Sequence, residues 1–252
     1  MNNKSTTKAR YNLIDILRGT AVICMIIYHT VWDLVYLFGT EIPLFRTSAA
    51  HIFQQYILWS FVIISGFCVN LCKKPLKRGA ITFGASVIMT LATIIFIPEA
   101  TVIFGVLTFL GTAMIITGCL KKHLSRVRHY IGLTLSGILF TLSYNIPDGN
   151  LGFGKLIIAE LPEKLYLNHL TAFFGFPHSG FSSADYVPLL PWIFLYLFGF
   201  FLFGLFKKRN WLRHLSGFKI PPLEWIGRHA LIIYLAHQPV IFAILYIIFK
   251  LI

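Results

Sequence analysis

A few ionisable side chains lie inside long apolar runs, and their types and spacing suit acid–base chemistry. His29 and Asp33 are four residues apart, about one turn of a helix. The Asp33 carboxylate can therefore accept a hydrogen bond from one imidazole nitrogen of His29, fix its tautomer and raise its basicity. The same spacing serves a satisfied polar pair between packed helices, and spacing alone leaves both readings open. Asp15 and Arg18, three apart on the same run, fit an i,i+3 ion pair that closes a bundle. His237 is followed by Gln238 and Pro239, and the proline removes a backbone donor and frees a carbonyl near the imidazole. His51, Gln54 and Gln55 open a second apolar run, Asp185 and Trp192 flank the prolines that open another, and Arg228-His229 precedes the run holding His237. Candidates for chemistry are thus His29, Asp33, His51 and His237. Candidates for substrate binding are Asp15, Arg18, Gln54, Gln55, Asp185, Trp192, Arg228, His229 and Gln238.

Composition says what holds these residues. The 252-residue chain is 57% hydrophobic and 12% charged, with mean hydropathy +0.75. Soluble domains carry about a quarter charged residues, and 24 Phe, 11 Tyr and 5 Trp leave too little polar surface to coat a globule. A cytosolic enzyme, a secreted disulfide scaffold and a disordered chain are excluded. Apolar stretches near the ~20 residues a bilayer needs occur seven times: 13–38, 52–72, 79–97, 102–120, 130–146, 188–206 and 229–249. The expectation is an all-α polytopic membrane protein with about seven transmembrane helices, forming a single integral membrane domain over 1–252. The first span lacks a small-residue cleavage site and holds four ionisable groups, so it reads as retained.

The net charge of +13 would ordinarily suggest nucleic acid, but its distribution gives topology instead. Lys4, Lys8, Arg10, then Lys73, Lys74, Lys77, Arg78, then Lys121, Lys122, Arg126, Arg128, then Lys207, Lys208, Arg209, Arg213, Lys219 and Arg228 all fall on one side. Only Arg46, Lys155, Lys164 and Lys250 fall on the other. The positive-inside rule then puts the N-terminus in the cytoplasm and the C-terminus outside, with no nucleic-acid partner. Cys24, Cys68, Cys72 and Cys119 lie in spans or at their cytoplasmic ends and read as free thiols; no metal-ligand spacing occurs. The longest connection, 147–187, is outside. Its middle, 156–170, reads as a short interfacial amphipathic helix or a re-entrant piece, and its aromatic, Gly/Pro-punctuated end serves equally as a cavity cover or an inert plug.

Four segments carry a family resemblance. Asp15-Ile-Leu-Arg18-Gly19, followed on the same run by His29, resembles the opening signature of the transmembrane acyltransferase superfamily. His29-Thr-Val-Trp32-Asp33-Leu, Phe104-Gly105-Val-Leu, the stretch from Gly180 to Trp192, and Ile226-Gly227-Arg228-His229 through His237-Gln238-Pro239 are similar to the bacterial relatives of heparan-α-glucosaminide N-acetyltransferase. Thr108 departs from the family, where a His is common. The resemblance implies transfer of an acetyl or short acyl group from cytoplasmic acetyl-CoA, or another acyl-CoA, to an extracytoplasmic sugar or glycan. It implies a histidine in that transfer, which falls on His29 in the signature run or on His51, and a multi-pass protein of a bacterial inner membrane. Partners would be the bilayer, an acyl donor and a glycan acceptor, with a homodimer left open and no metal. Two other classes stay open from the residues alone: a transporter or flippase, although no inverted repeat is visible, and a non-catalytic lipid-binding membrane protein.

Overall fold

A computed structural model describes residues 11–251; Lys4, Lys8 and Arg10 of the charge pattern lie outside the described residues. The described residues are nearly all helical, with one two-stranded hairpin. It divides into two compact units, one from Met1–Phe61 and Phe206–Ile252, the other from Val62–Leu205.

The first unit contains α1 (Asn12–Tyr36), the start of α2 (Ser48–Cys68), the short α8 (Pro221–Arg228) and α9 (Ala230–Leu251). Its core gathers Val22, Met25 and Ile57, with Phe53, Phe61, Ile226, Ile233 and Tyr234 packed against them. α1 lies against both α8 and α9. Two glycines set the closest approach. A Cβ at Gly19 would collide with the carbonyl of Leu223 on α8, and a Cβ at Gly227 would collide with the carbonyl of Asp15 on α1. Small residues allow backbones to touch in this way, which van der Waals packing within a membrane rewards.

The second unit holds the rest of α2, α3 (Pro75–Phe96), α4 (Val106–Leu124), α5 (His129–Ser143), the hairpin, α6 (His169–Phe174) and most of α7 (Leu189–Lys208). Pro75 opens α3 at its first turn, where its missing N–H costs nothing. Gly79 and Gly111 bring α3 onto α4, and Gly66 and Gly199 bring α2 onto α7. The prolines expected to disturb the start of the sixth apolar stretch do so: Leu190 leaves helical geometry at φ −96°, ψ 134°.

Each of the seven apolar stretches is mostly helical, with runs such as 69–72, 102–105 and 144–145 outside the helices. Among the described residues five helices, α1, α2, α3, α7 and α9, are long and apolar enough to cross a bilayer. α4 ends on Lys121, Lys122 and His123, and α5 has 15 residues. At about 1.5 Å per residue α5 falls short of a hydrocarbon core of about 30 Å.

The middle of the long connection is not the helix expected there. β1 (Asn150–Phe153) pairs antiparallel with β2 (Leu156–Glu160), and helix begins only at His169. The apolar run Leu156-Ile157-Ile158 suits either element, and the glycines around it decide. Gly154 (φ 57°) makes the two-residue turn and Gly152 (φ 142°) sits at a bulge, backbone conformations that disfavour side chains. The buried Asn145 then clamps the turn, donating to the Gly154 carbonyl and accepting from the Gly154 N–H, both at 2.9 Å. α6 is set by a capping box between Asn168 and Thr171.

Candidate functional site

In the first unit the polar residues of α1 and α9 meet. The α-helical rise carries His29 and Asp33 up one face of α1, and α9 brings His237 and Gln238 opposite them. The rings of His29 and His237 lie edge to face with centroids 4.9 Å apart. Gln238 Nε2 donates to Asp33 Oδ1 at 2.7 Å. Asp33 is completely buried and His237 is 8% exposed.

This differs from the expected pairing of Asp33 with His29. The carboxylate is held by Gln238 across the helix interface, and the His29 ring instead meets Tyr28 and His237. Residues four apart stack along one helix face, but that spacing does not turn their polar atoms toward each other, and the amide from α9 takes the carboxylate first. The partner that fixes a tautomer is found on the other histidine. His237 Nδ1 contacts the Tyr234 carbonyl at 2.5 Å. A carbonyl only accepts, so Nδ1 carries the proton and Nε2 of the neutral ring carries the lone pair. Pro239 sits within α9 two residues on, as the sequence requires.

Beside His237 an apolar groove of about 450 Å³ runs along α1 and α9, lined by Ile26, Thr30, Ile233, His237, Ile241 and neighbouring aliphatic residues. That volume falls within the roughly 300–1,000 Å³ of small-molecule sites.

At the opposite end of α1, Arg18 Nη1 donates to Asp15 Oδ1 at 3.5 Å and to the Gly227 carbonyl at 3.3 Å. Arg228 is anchored to Glu224 through both its carboxylate, at 3.3 Å, and its carbonyl. The buried Glu224 also accepts from the Ile220 N–H, a role the sequence reading did not give it. His229 turns back onto Trp225, Nδ1 to the carbonyl at 2.8 Å and ring on ring at 4.6 Å. The Asp-x-x-Arg-Gly and Gly-Arg-His segments are thus two halves of one helix junction.

The remaining candidates make other contacts. His51 and Gln54 are exposed near the start of α2, and Gln55 accepts from Trp59 Nε1 at 3.1 Å. Tyr28 packs on Phe45 and Phe53, which brings the segment before His51 against the same half of α1. Asp185 and Trp192 belong to the second unit. Asp185 Oδ2 accepts from the Val106 N–H at 3.1 Å and so caps the start of α4. Trp192 is buried against Phe140 and Tyr144. Ser183 bonds both backbone groups of Ile103, which fastens this loop to the approach to α4. Cys24, Cys68, Cys72 and Cys119 form no disulfide, and among the described residues no three metal-ligating side chains converge.

Residues 10–239 match the family model described as heparan-alpha-glucosaminide N-acetyltransferase, catalytic. No curated protein and no solved structure matches the chain. The match covers most of the sequence, so the chain belongs to this family of membrane acetyltransferases, and both halves of the α1–α9 site lie within the matched residues.

Proposed function

We propose that this member of the family moves an acetyl or short acyl group from cytoplasmic acyl-CoA to an extracytoplasmic sugar or glycan, by O- or N-transfer. The observation that carries the reading is the pair of imidazoles, 4.9 Å apart, at the interface of two apolar helices in a chain of acetyltransferase ancestry. Ionisable groups at membrane depth are costly and mark substrate or proton paths.

In this reading the chain has seven spans, with α4 and α5 as the two shorter ones, the N-terminus cytoplasmic and the C-terminus outside. The basic ends of α4 and α7 and the stretch from Lys207 to Arg213 support that orientation. The basic stretch from Lys207 to Arg213 and the half-exposed Arg228, both in the first unit, meet the phosphates of the donor. Arg18 is tied to Asp15 and Gly227, so it contributes to shaping the mouth more than to binding. The acyl group lies in the groove beside His237, and the acceptor arrives from the outer side, near Tyr28 and His51.

The chemistry needs one base and one acid. The acceptor O–H or N–H gives its proton to a neutral imidazole as its heteroatom bonds to the acyl carbon; the C–S bond then breaks and the leaving thiolate takes that proton. His237 is suited to the base role because its Nδ1–H is committed to a carbonyl, which leaves Nε2 basic. His29 is the neighbouring imidazole that shares or relays the proton, and Asp33 with Gln238 positions the two helices. His51 is the alternative histidine, and Gln54 is a further contact for the acceptor.

Purified protein incubated with radiolabelled acetyl-CoA and a panel of sugar acceptors tests the reading. Label transfer, or thioester hydrolysis, that vanishes in His29→Ala and His237→Ala supports it. Binding without turnover across the panel overturns it in favour of a transporter or a lipid-binding protein.

A further inference from the structure

The Asp33–Gln238 contact leaves an uneven account of donors and acceptors. Gln238 Nε2 gives its proton to Asp33 Oδ1. Asp33 Oδ2 and Gln238 Oε1 are both buried, and among the described residues neither has a hydrogen-bond partner. An ionised carboxylate and an amide carbonyl are both pure acceptors, so one hydrogen-bonded pair, a fully buried Asp33 and a partly buried Gln238, carries two buried orphaned acceptors. Each would bear the desolvation penalty of an unmade hydrogen bond. Turning the amide over does not help, because its carbonyl would then face the carboxylate oxygen it now serves. Among the described residues no ion pair involves Asp33, and the titratable rings of α1 and α9 that meet each other in this unit are His29 and His237.

We infer that Asp33 binds a proton on Oδ2, forming with Gln238 a neutral cyclic acid–amide pair in which Nε2 donates to Oδ1 and Oδ2–H donates to Oε1. One proton satisfies both orphaned atoms and removes a charge from the interior of a membrane protein. This assigns α1 and α9 a proton-holding latch beside the histidines, with Gln238 as its positioning residue. Loss of the proton would restore a buried charge and two unmade bonds together, so holding the proton and holding the two helices in register are one event. The inference rests on the geometry of the pair and not on the acyl-transfer reading.

Infrared spectroscopy of the substrate-free protein at neutral pH tests it directly. The chain has only four aspartates, Asp15, Asp33, Asp148 and Asp185, so carboxyl-labelled ¹³C-aspartate gives a short spectrum. The expected result is one protonated-acid C=O band, isotope-shifted by the label and lost in Asp33→Asn. Gln238→Leu is expected to move that band upward, since it removes the amide without touching the acid. Loss of carboxylate bands in Asp33→Asn, with no acid band in the labelled wild type, overturns the inference. The wild-type band stands even where a variant fails to fold. Because no substrate is present, transferase activity can be absent while the band appears, and the two readings fail separately.

Discussion

Replacing Gly227 with alanine puts a methyl group where the Asp15 carbonyl already sits, against backbone that has no rotamer to escape into. α8 must therefore move away from α1, and the Arg18 guanidinium loses the Gly227 carbonyl it reaches at 3.3 Å. Overpacking a tight contact costs about 1–3 kcal/mol. A hydrogen bond to a charged donor contributes about 1.5–3 kcal/mol, and at this length the lower figure applies. The expected loss for Gly227→Ala is about 3 kcal/mol, the sum of both terms near their lower and middle values. Gly84 is the control, because a Cβ there meets nothing within 4 Å. Gly84→Ala is expected to be neutral or to stabilise by up to about 1 kcal/mol through helix propensity. The assay is the temperature at which Cys24, a half-buried free thiol of α1, becomes reactive in detergent-solubilised protein. A Gly227→Ala protein that melts with the wild type, or a Gly84→Ala protein that falls as far as it does, refutes the reasoning.

Removing either imidazole, in His29→Ala or His237→Ala, is expected to lower the rate of label transfer by about 10²–10⁴-fold, the range for a lost acid–base group; an unchanged rate in both would remove the pair from the chemistry. Asp185→Ala should cost about 1 kcal/mol as a lost N-cap while Asp185→Asn keeps most of it; equal loss of activity in both, at unchanged stability, would make Asp185 a site residue after all. Burial, and then the charge of Asp148, pushes the Tyr166 phenol above its ordinary value, and burial raises Tyr186 as well. A folded value above the unfolded one is stability present below the unfolded pKa of about 10 and lost as pH rises through the folded value. The segment from β1 to α6 is therefore expected to loosen only above that point, seen as late tyrosinate absorbance accompanied by faster amide exchange in β1 and α6. Cysteines introduced as Lys122→Cys and Arg209→Cys should resist a membrane-impermeant thiol reagent applied to intact cells; labelling of either reverses the proposed orientation.

The helices were legible because each apolar stretch is long and bounded by charge or proline, and their observed limits differ from the expected ones by a few residues. The hairpin was not, because Leu156-Ile157-Ile158 fits a helix face or a strand, and the outcome hangs on positive φ at Gly152 and Gly154. The site was half legible. A sequence shows that His29, Asp33, His237 and Gln238 are unusual in apolar surroundings, and this is enough to nominate them. It does not show which of them touch. The i,i+4 rule links His29 to Asp33, yet a residue more than 200 positions away holds the carboxylate. Glu224 is silent in the sequence for a related reason: a lone acid among basic residues looks solvated, and only the fold shows that it is buried. Asp185 stands out in the sequence as an acid near prolines, and the fold adds that its carboxylate accepts from the first N–H of α4.

The position of Arg18 has a bearing on electrostatics. Gly227, whose carbonyl it reaches, lies in the last turn of α8, the negative end of that helix's dipole. Its single positive charge is thus already divided between a carboxylate and a helix terminus, and little of its field projects outward. An anion approaching this end of the unit is drawn by Lys207, Lys208, Arg209 and Arg213. Added salt should accordingly slow the capture of the proposed anionic donor while leaving the α1–α8 junction intact, since screening weakens exposed charges far more than a partly buried, short-range contact.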